Sequence, residues 1–215
     1  MWSLGGIEMK KTFYNLDEEK KKRIIDSCIE EFSRNSFEKA STNNIIKAAG
    51  ISKGSLFKYT NSKEELFEYV LSQVLEELIN YQISNIDKSK TDIIERLKDI
   101  INNGLEFYEH NPIKYKFAIR AFFDGNDRIR LKVQKIRNDI IRKYREAQLE
   151  GIDWNQYSIP PKEVLNILDI VLSGINVRML AMINEELNFE KFKKLITNDI
   201  DGVFNCIGKG IRGGE

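Results

Sequence analysis

From residue 24 to residue 207 the apolar side chains recur every three or four positions, the spacing of one face of an α-helix. Ile24, Cys28 and Phe32 form one such stripe; Leu66, Val70, Val74 (or Leu75) and Leu78 form another; Ile129, Val133, Ile136, Ile140 and Tyr144 form a third. No alternating strand pattern of useful length interrupts them. Only three prolines occur, Pro112, Pro160 and Pro161, so little in the chain forbids helix. The expected fold class is therefore all-α.

Capping chemistry sets the boundaries. Asn15 with Glu18 is expected to open the first helix, and Ser62 with Glu65 forms a capping box for a later one. Pro112 and Pro160-Pro161 mark two further starts, and Asp124-Gly125-Asn126-Asp127 reads as a turn. These signals give about nine helices, at residues 17–34, 42–49, 53–59, 63–84, 90–110, 112–123, 127–149, 161–186 and 189–208. The stretch Val164 to Ile183 approaches the length of a membrane span, but Asp169 and Arg178 interrupt it, and a helix buried from several sides fits better. No membrane partner is expected.

Composition excludes several chemistries. Hydrophobic residues at 41% and charged ones at 31% describe a globular chain. The single His110, placed at a helix end, together with Cys28 and Cys206, provides no metal-ligand set, and no nucleophile stands beside a base. The chain reads as neither an enzyme nor a cofactor protein. Both cysteines read as small hydrophobes on apolar helix faces, which fits a reducing, cytoplasmic setting. Residues 1–6 lack the basic end and the apolar core of about 7–15 residues that a signal peptide needs. Met9, followed by Lys10 and Lys11, reads as the natural start, with the first eight residues an extension. Gly208, Gly210 and Gly213 fit a dinucleotide-binding spacing, but no strand precedes them, so they read as a frayed tail.

Between Thr42 and Tyr59 lie two unusually short helices. Gly50 between them suits the left-handed conformation that ends a helix, Ile51 suits a plug in the angle, and Ser52 can cap the second helix. Ala48 and Ala49 permit a close approach. This is the layout of a helix-turn-helix, whose second helix enters the DNA major groove. On pattern alone, two short helices joined by glycine are equally an ordinary feature of helical proteins. Charge moves the balance: no acidic residue occurs from Lys39 to Lys63, while Lys39, Lys47, Lys53, Lys58 and Lys63 are basic, and acids crowd the flanks at Glu38, Glu64 and Glu65. A surface facing phosphates must be free of carboxylates. The net charge of +1 conceals this, because residues 1–66 hold 12 basic and 10 acidic side chains.

Thr42, Ile45, the run Ala49-Gly50-Ile51-Ser52-Lys53-Gly54-Ser55-Leu56-Phe57 and Ser62-Lys63-Glu64-Glu65-Leu66 resemble the DNA-binding domain of the TetR family of bacterial regulators. The likeness spans roughly residues 17–66. Phe57 fits the family pattern of Tyr or Phe there; Thr60 departs from its Phe, which bears on how the recognition helix packs onto the next helix. The resemblance implies that Lys53, Gly54, Ser55, Phe57 and Lys58 face DNA, next to the cap Ser52. It implies that Thr42, Tyr59 and Lys63 bind phosphates, Lys63 with help from the positive end of the helix it opens. Leu56 and Ile45 read as core, and Lys39 and Lys47 read equally as solvated lysines.

The expected organisation is a flexible tail (1–16), a helix-turn-helix domain (17–62), an effector-binding and dimerisation domain (63–208) and a second flexible tail (209–215). The helix at 161–186 is apolar on most of its circumference, and the excess points to a second contact surface. Val171 and Ile175, with Phe192, Ile196, Ile200 and Val203 of the last helix, are the expected homodimer interface, as the resemblance also implies. Phe107, Phe122, Tyr144 and Asn176 are the expected lining of a pocket for an apolar or amphipathic effector. The basic helix around Arg142 and Lys143 reads as a solvated face or, alternatively, as a gate for an anionic effector. The expected function is that of a transcriptional repressor holding a palindromic DNA operator until that effector releases it. The alternative is a helical carrier or enzyme that uses its cavity without DNA.

Overall fold

A computed structural model describes residues 9–184 and 188–212. Its α-helices are α1 (Lys11–Tyr14), α2 (Glu18–Arg34), α3 (Thr42–Ala49), α4 (Lys53–Tyr59), α5 (Lys63–Ser84), α6 (Ile93–His110), α7 (Pro112–Phe122), α8 (Asp127–Leu149), α9 (Pro161–Asn184) and α10 (Phe189–Ile211), with one 3-10 turn at Trp154–Gln156. No strand occurs among the described residues. The all-α expectation holds, with one helix more than the nine expected. The expected extension, residues 1–8, lies outside the described residues.

The chain forms two compact units: residues 1–79 with 111–143, and residues 80–110 with 144–215. This partition differs from a cut at residue 62. In the first unit α7 and most of α8 join the helix-turn-helix, because the stripes of α2, α5, α7 and α8 share one core. Phe32 of α2 meets Phe67 of α5 edge-on at 5.0 Å and stacks on Phe117 of α7 at 5.7 Å. Ile24, Cys28, Val70, Val74, Ile129, Val133 and Ile140 are buried around them. Burial pushes the Cys28 thiol well above its ordinary range, so it behaves as a hydrophobe. Cys206, expected on an apolar face, is exposed.

The two expected tails need correction. Residues 9–14 carry buried Met9 and Phe13 and fold as α1, so Asn15 closes that helix. The cap of α2 is Asp17, whose carboxylate accepts from the Lys20 amide at 2.8 Å. At the other end α10 runs to Ile211, which is buried, and its carbonyl accepts from the Ser158 amide and hydroxyl at 2.8 and 2.9 Å. Gly208 and Gly210 therefore lie within a helix; Gly213 falls outside the described residues.

In the second unit a stripe of Phe192, Ile196, Ile200 and Phe204 on α10 is buried, and Tyr108 of α6 meets Phe192 edge-on at 5.1 Å. Arg96, fully buried, donates to the carbonyls of Gln148 (3.1 Å), Glu150 (2.5 Å), Lys88 (3.2 Å) and Lys90, and so ties the end of α8 to the loop before α6. Asp92 caps α6 and also holds Arg212 and the Tyr157 hydroxyl, the latter at 2.7 Å. Burial opposes its charge, but these donors prevail and hold its carboxyl below the ordinary range.

Candidate DNA interface

The turn between α3 and α4 is built as its residues dictate. Gly50 adopts φ +65°, its amide donates to Lys47 O at 3.3 Å, and the Ile51 amide donates to Ile46 O at 3.1 Å, which closes α3 in the left-handed manner. Ser52 then caps α4: its hydroxyl accepts from the Ser55 amide at 3.1 Å and lies 2.9 Å from the Ser55 hydroxyl. Ile45, Ala49, Leu56 and Tyr59 are buried, so α3 and α4 share a small core. Ile51 is half-buried at the angle.

What remains outward on α4 is a single face. Lys53, Gly54, Phe57 and Lys58 are all exposed, at the one- and four-residue offsets that align side chains on a helix, and Phe57 is 44% exposed. An aromatic ring left in water between two lysines is unusual for a folded chain, and it suits contact with a thymine methyl group. No Cβ is present at Gly54, and nothing but the Ser52 hydroxyl, at 4.0 Å, would meet one, so a backbone can approach closely there. Ser55 and Thr42 are half-buried at the rim.

The acids flanking this window are each held by a partner. Glu31 accepts from the Ser41 amide at 2.7 Å at the start of α3. Glu38 accepts from Asn126 at 3.0 Å, and Glu65 from the Asn61 amide at 2.8 Å. Glu64 pairs with Arg128 at 3.0 Å and with Lys132. Burial alone would lower the Lys132 pKa, but the carboxylates of Glu64 and Glu68 outweigh it and raise it.

Two expected phosphate ligands have partners within the chain. The Lys63 ammonium donates to the carbonyls of Phe37 (2.6 Å), Ala40 (3.0 Å) and Glu38 (3.3 Å) and stands 4.5 Å over the Phe37 ring, so it pins the loop before α3. Tyr59 is 6% exposed and packs edge-on against Phe13 at 6.1 Å. Sequence pattern could not show these partners, because the acceptors of Lys63 are carbonyls some 25 residues away. Thr60, the departure from the family pattern, is buried; its hydroxyl donates to Ser62 O at 3.0 Å. The capping box opens α5 with a shift: the Glu65 amide donates to Ser62 Oγ at 3.1 Å, while its carboxylate reaches Asn61 instead of Ser62.

The other expected sites sort by burial. Phe192, Ile196 and Ile200 are buried within their own chain, as is nearly all of Ile175. Exposed apolar area on α9 and α10 comes from Ile170 (74%), Val177 (54%) and Val203 (40%), with Val171 half-buried. α9 was expected to be buried from several sides; within this chain only 22% of its most apolar window is buried. Of the expected pocket residues, Phe107, Tyr144 and Asn176 belong to the second unit and Phe122 to the first. Phe107 is buried against the Tyr81 ring at 5.7 Å. Lys143 pairs with Glu76, and Arg142 with Asp139 at 2.9 Å. His110 Nδ1 lies 2.8 Å from Glu106 O of its own helix. Among the described residues, no group of three or more His, Cys, Asp or Glu is placed to hold a metal ion.

Two short helices joined at a left-handed glycine, with a cationic outer face, define a helix-turn-helix DNA-binding protein. Residues 24–70 match the family described as bacterial regulatory proteins, tetR family. Residues 24–70 thus form a DNA-binding domain of the TetR type, and the fold of the chain is that of TetR family regulators. It is 25% identical over 131 residues to the nucleoid occlusion factor SlmA of Haemophilus ducreyi, covering 54% of this chain and 62% of that protein. It is 25% identical over 165 residues to the SlmA of Vibrio campbellii, covering 74% and 84%. The chain thus spans about three fifths of the length of the H. ducreyi factor and of its Mannheimia succiniciproducens counterpart (62% and 60%). Among solved structures, a TetR family transcriptional regulator from Chloroflexus aurantiacus J-10-fl shares the fold with a TM-score of 0.66 and 24% identity, over 95% of this chain and 98% of that one. The fatty acid degradation regulator FadR from Bacillus halodurans does so with a TM-score of 0.63 and 16% identity, over 83% and 96%.

Proposed function

We propose that the chain is a cytoplasmic transcriptional regulator, a repressor that binds a palindromic operator as a homodimer and is released by a small apolar or amphipathic effector. The observation that carries this reading is the exposed face of α4, where Lys53, Gly54, Phe57 and Lys58 stand together in a stretch of chain without acidic residues. Lys53 and Lys58 meet phosphates or guanine edges, Phe57 meets a thymine methyl, and Ser52, Ser55 and Thr42 donate to the backbone at the rim. Ile170, Val177 and Val203 leave apolar surface on the second unit, for which a second copy of the chain is the fitting cover. A twofold pair sets two recognition helices about 34 Å apart, one turn of B-DNA. The effector acts by binding one state of the dimer better than the other.

Footprinting on the DNA upstream of the chain's own gene, at several salt concentrations, tests the reading. A discrete protected palindrome, weakened by salt, is the expected result. The SlmA relatives are named as nucleoid occlusion factors, so genome-wide occupancy separates two uses of the same interface: a few promoter sites for a regulator, many dispersed sites for occlusion. No protection at low salt overturns both.

A further inference from the structure

α4 has seven residues, too few to hold a helical conformation by itself. It also ends without a left-handed cap, because Thr60 is extended. A helix leaves its last four carbonyls without intrahelical partners. In α4 all four are met. Leu56 O accepts from the Thr60 amide at 3.1 Å, Phe57 O from Lys10 Nζ at 2.8 Å, Tyr59 O from the Lys10 amide at 2.9 Å, and Lys58 O from the Thr12 hydroxyl. Three of the four donors thus come from Lys10 and Thr12, at the start of α1. That segment is itself anchored: Phe13 is buried edge-on against Tyr59 at 6.1 Å and Tyr69 at 5.7 Å, and the Met9 amide donates to the Tyr14 hydroxyl at 3.2 Å. Burial of this cluster, more than the Tyr14 hydroxyl beside it, pushes the Tyr69 phenol up to about 12. The Lys10 ammonium also brings positive charge to the negative end of α4.

We propose that residues 9–14 are a positioning clamp for the recognition helix. Lys10, Thr12 and Phe13 fix the last turn of α4, which holds Phe57 and Lys58, and so set how well the chain tells one DNA sequence from another. The clamp rests on the DNA-binding reading above. It precedes residues 24–70, so it lies outside the matched family segment.

The test uses a duplex selected from a random-sequence library by the full chain, and a scrambled duplex of the same composition. Thr12→Val keeps the shape and removes the donor; the affinity ratio, selected over scrambled, is expected to fall about threefold, the scale of one hydrogen bond. Phe13→Ala is expected to lower it about tenfold, the scale of one base contact. Affinity for the scrambled duplex stays within about twofold, because phosphate contacts set it. Thr12→Ser keeps the hydroxyl and restores the ratio. In the free protein, amide exchange across α4 quickens in Thr12→Val and returns to the parent rate in Thr12→Ser. An unchanged ratio in a folded Phe13→Ala variant overturns the clamp, as does an equal loss on both duplexes. If the full chain enriches no sequence, the DNA-binding reading fails on its own. The exchange measurement still judges the clamp, and unchanged α4 rates overturn it.

Discussion

The exposed face of α4 and the exposed face of α9 are two surfaces that the chain's own folding leaves unmatched, and they are unmatched in opposite ways. On α4 the outward groups are two lysines, a glycine and one aromatic ring, cleared of nearby carboxylates. On α9 they include Ile170 and Val177, two aliphatic side chains exposed on a long helix. The first suits a polyanion, whose association is electrostatic and falls with salt. The second suits another apolar surface, whose association is hydrophobic and hardly falls with salt. Regulation by a dimer on DNA requires one of each.

The sharpest way to break this comparison is to ask whether α10 is core or interface. Phe192→Ala is expected to destabilise the folded chain by about 3–5 kcal/mol, the scale of truncating a buried phenylalanine, with the midpoint of urea unfolding as the measurement. A variant that keeps its stability and loses only self-association returns Phe192 to the interface. Ile170→Glu with Val177→Glu is expected to do the reverse: the fold persists, and sedimentation shows self-association weakened about hundredfold, as hot-spot losses allow.

A smaller effect sharpens the α4 side. Lys63→Met removes three hydrogen bonds to carbonyls of the loop before α3 and is expected to cost about 2 kcal/mol of stability. The salt dependence of DNA binding is expected to keep its slope; a slope reduced by about one would make Lys63 a phosphate ligand after all. The smallest effect concerns Asp92, which ties α6 to the end of α10. Its carboxyl is held below the ordinary range, so its contribution is complete above the ordinary value of 3.8 and is lost as pH falls through the lower folded value. Amide exchange near Ile211 is expected to quicken below about pH 4, and Asp92→Asn is expected to remove that dependence.

The helix-turn-helix was legible because its signals are local. Gly50 must take positive φ, Ser52 must cap, and the missing acids lie within one stretch of chain, so composition and spacing read directly as structure. The apolar stripes were legible only as stripes. A residue that packs on its own chain and one that packs on a second copy show the same helical period, so Phe192, Ile196 and Ile200 could not be told from Val203 before burial was known. The partners of Lys63 and Tyr59 were hidden for a related reason: the carbonyls of residues 37–40 and the ring of Phe13 are brought to them by tertiary structure. The N-terminal segment read as a tail because four helical residues carry almost no periodicity, and its donors find acceptors 46 and 47 positions away.

The most direct test of the central claim is selection from a random duplex library by the full chain, followed by titration of the enriched sequence against salt for the parent and for Lys53→Glu with Lys58→Glu. The account predicts enrichment of one palindrome with half-sites about one helical turn apart, a steep salt slope, and an affinity loss of about hundredfold or more in the unchanged fold of the variant. Absence of enrichment, or binding that the two charge reversals leave intact, contradicts it.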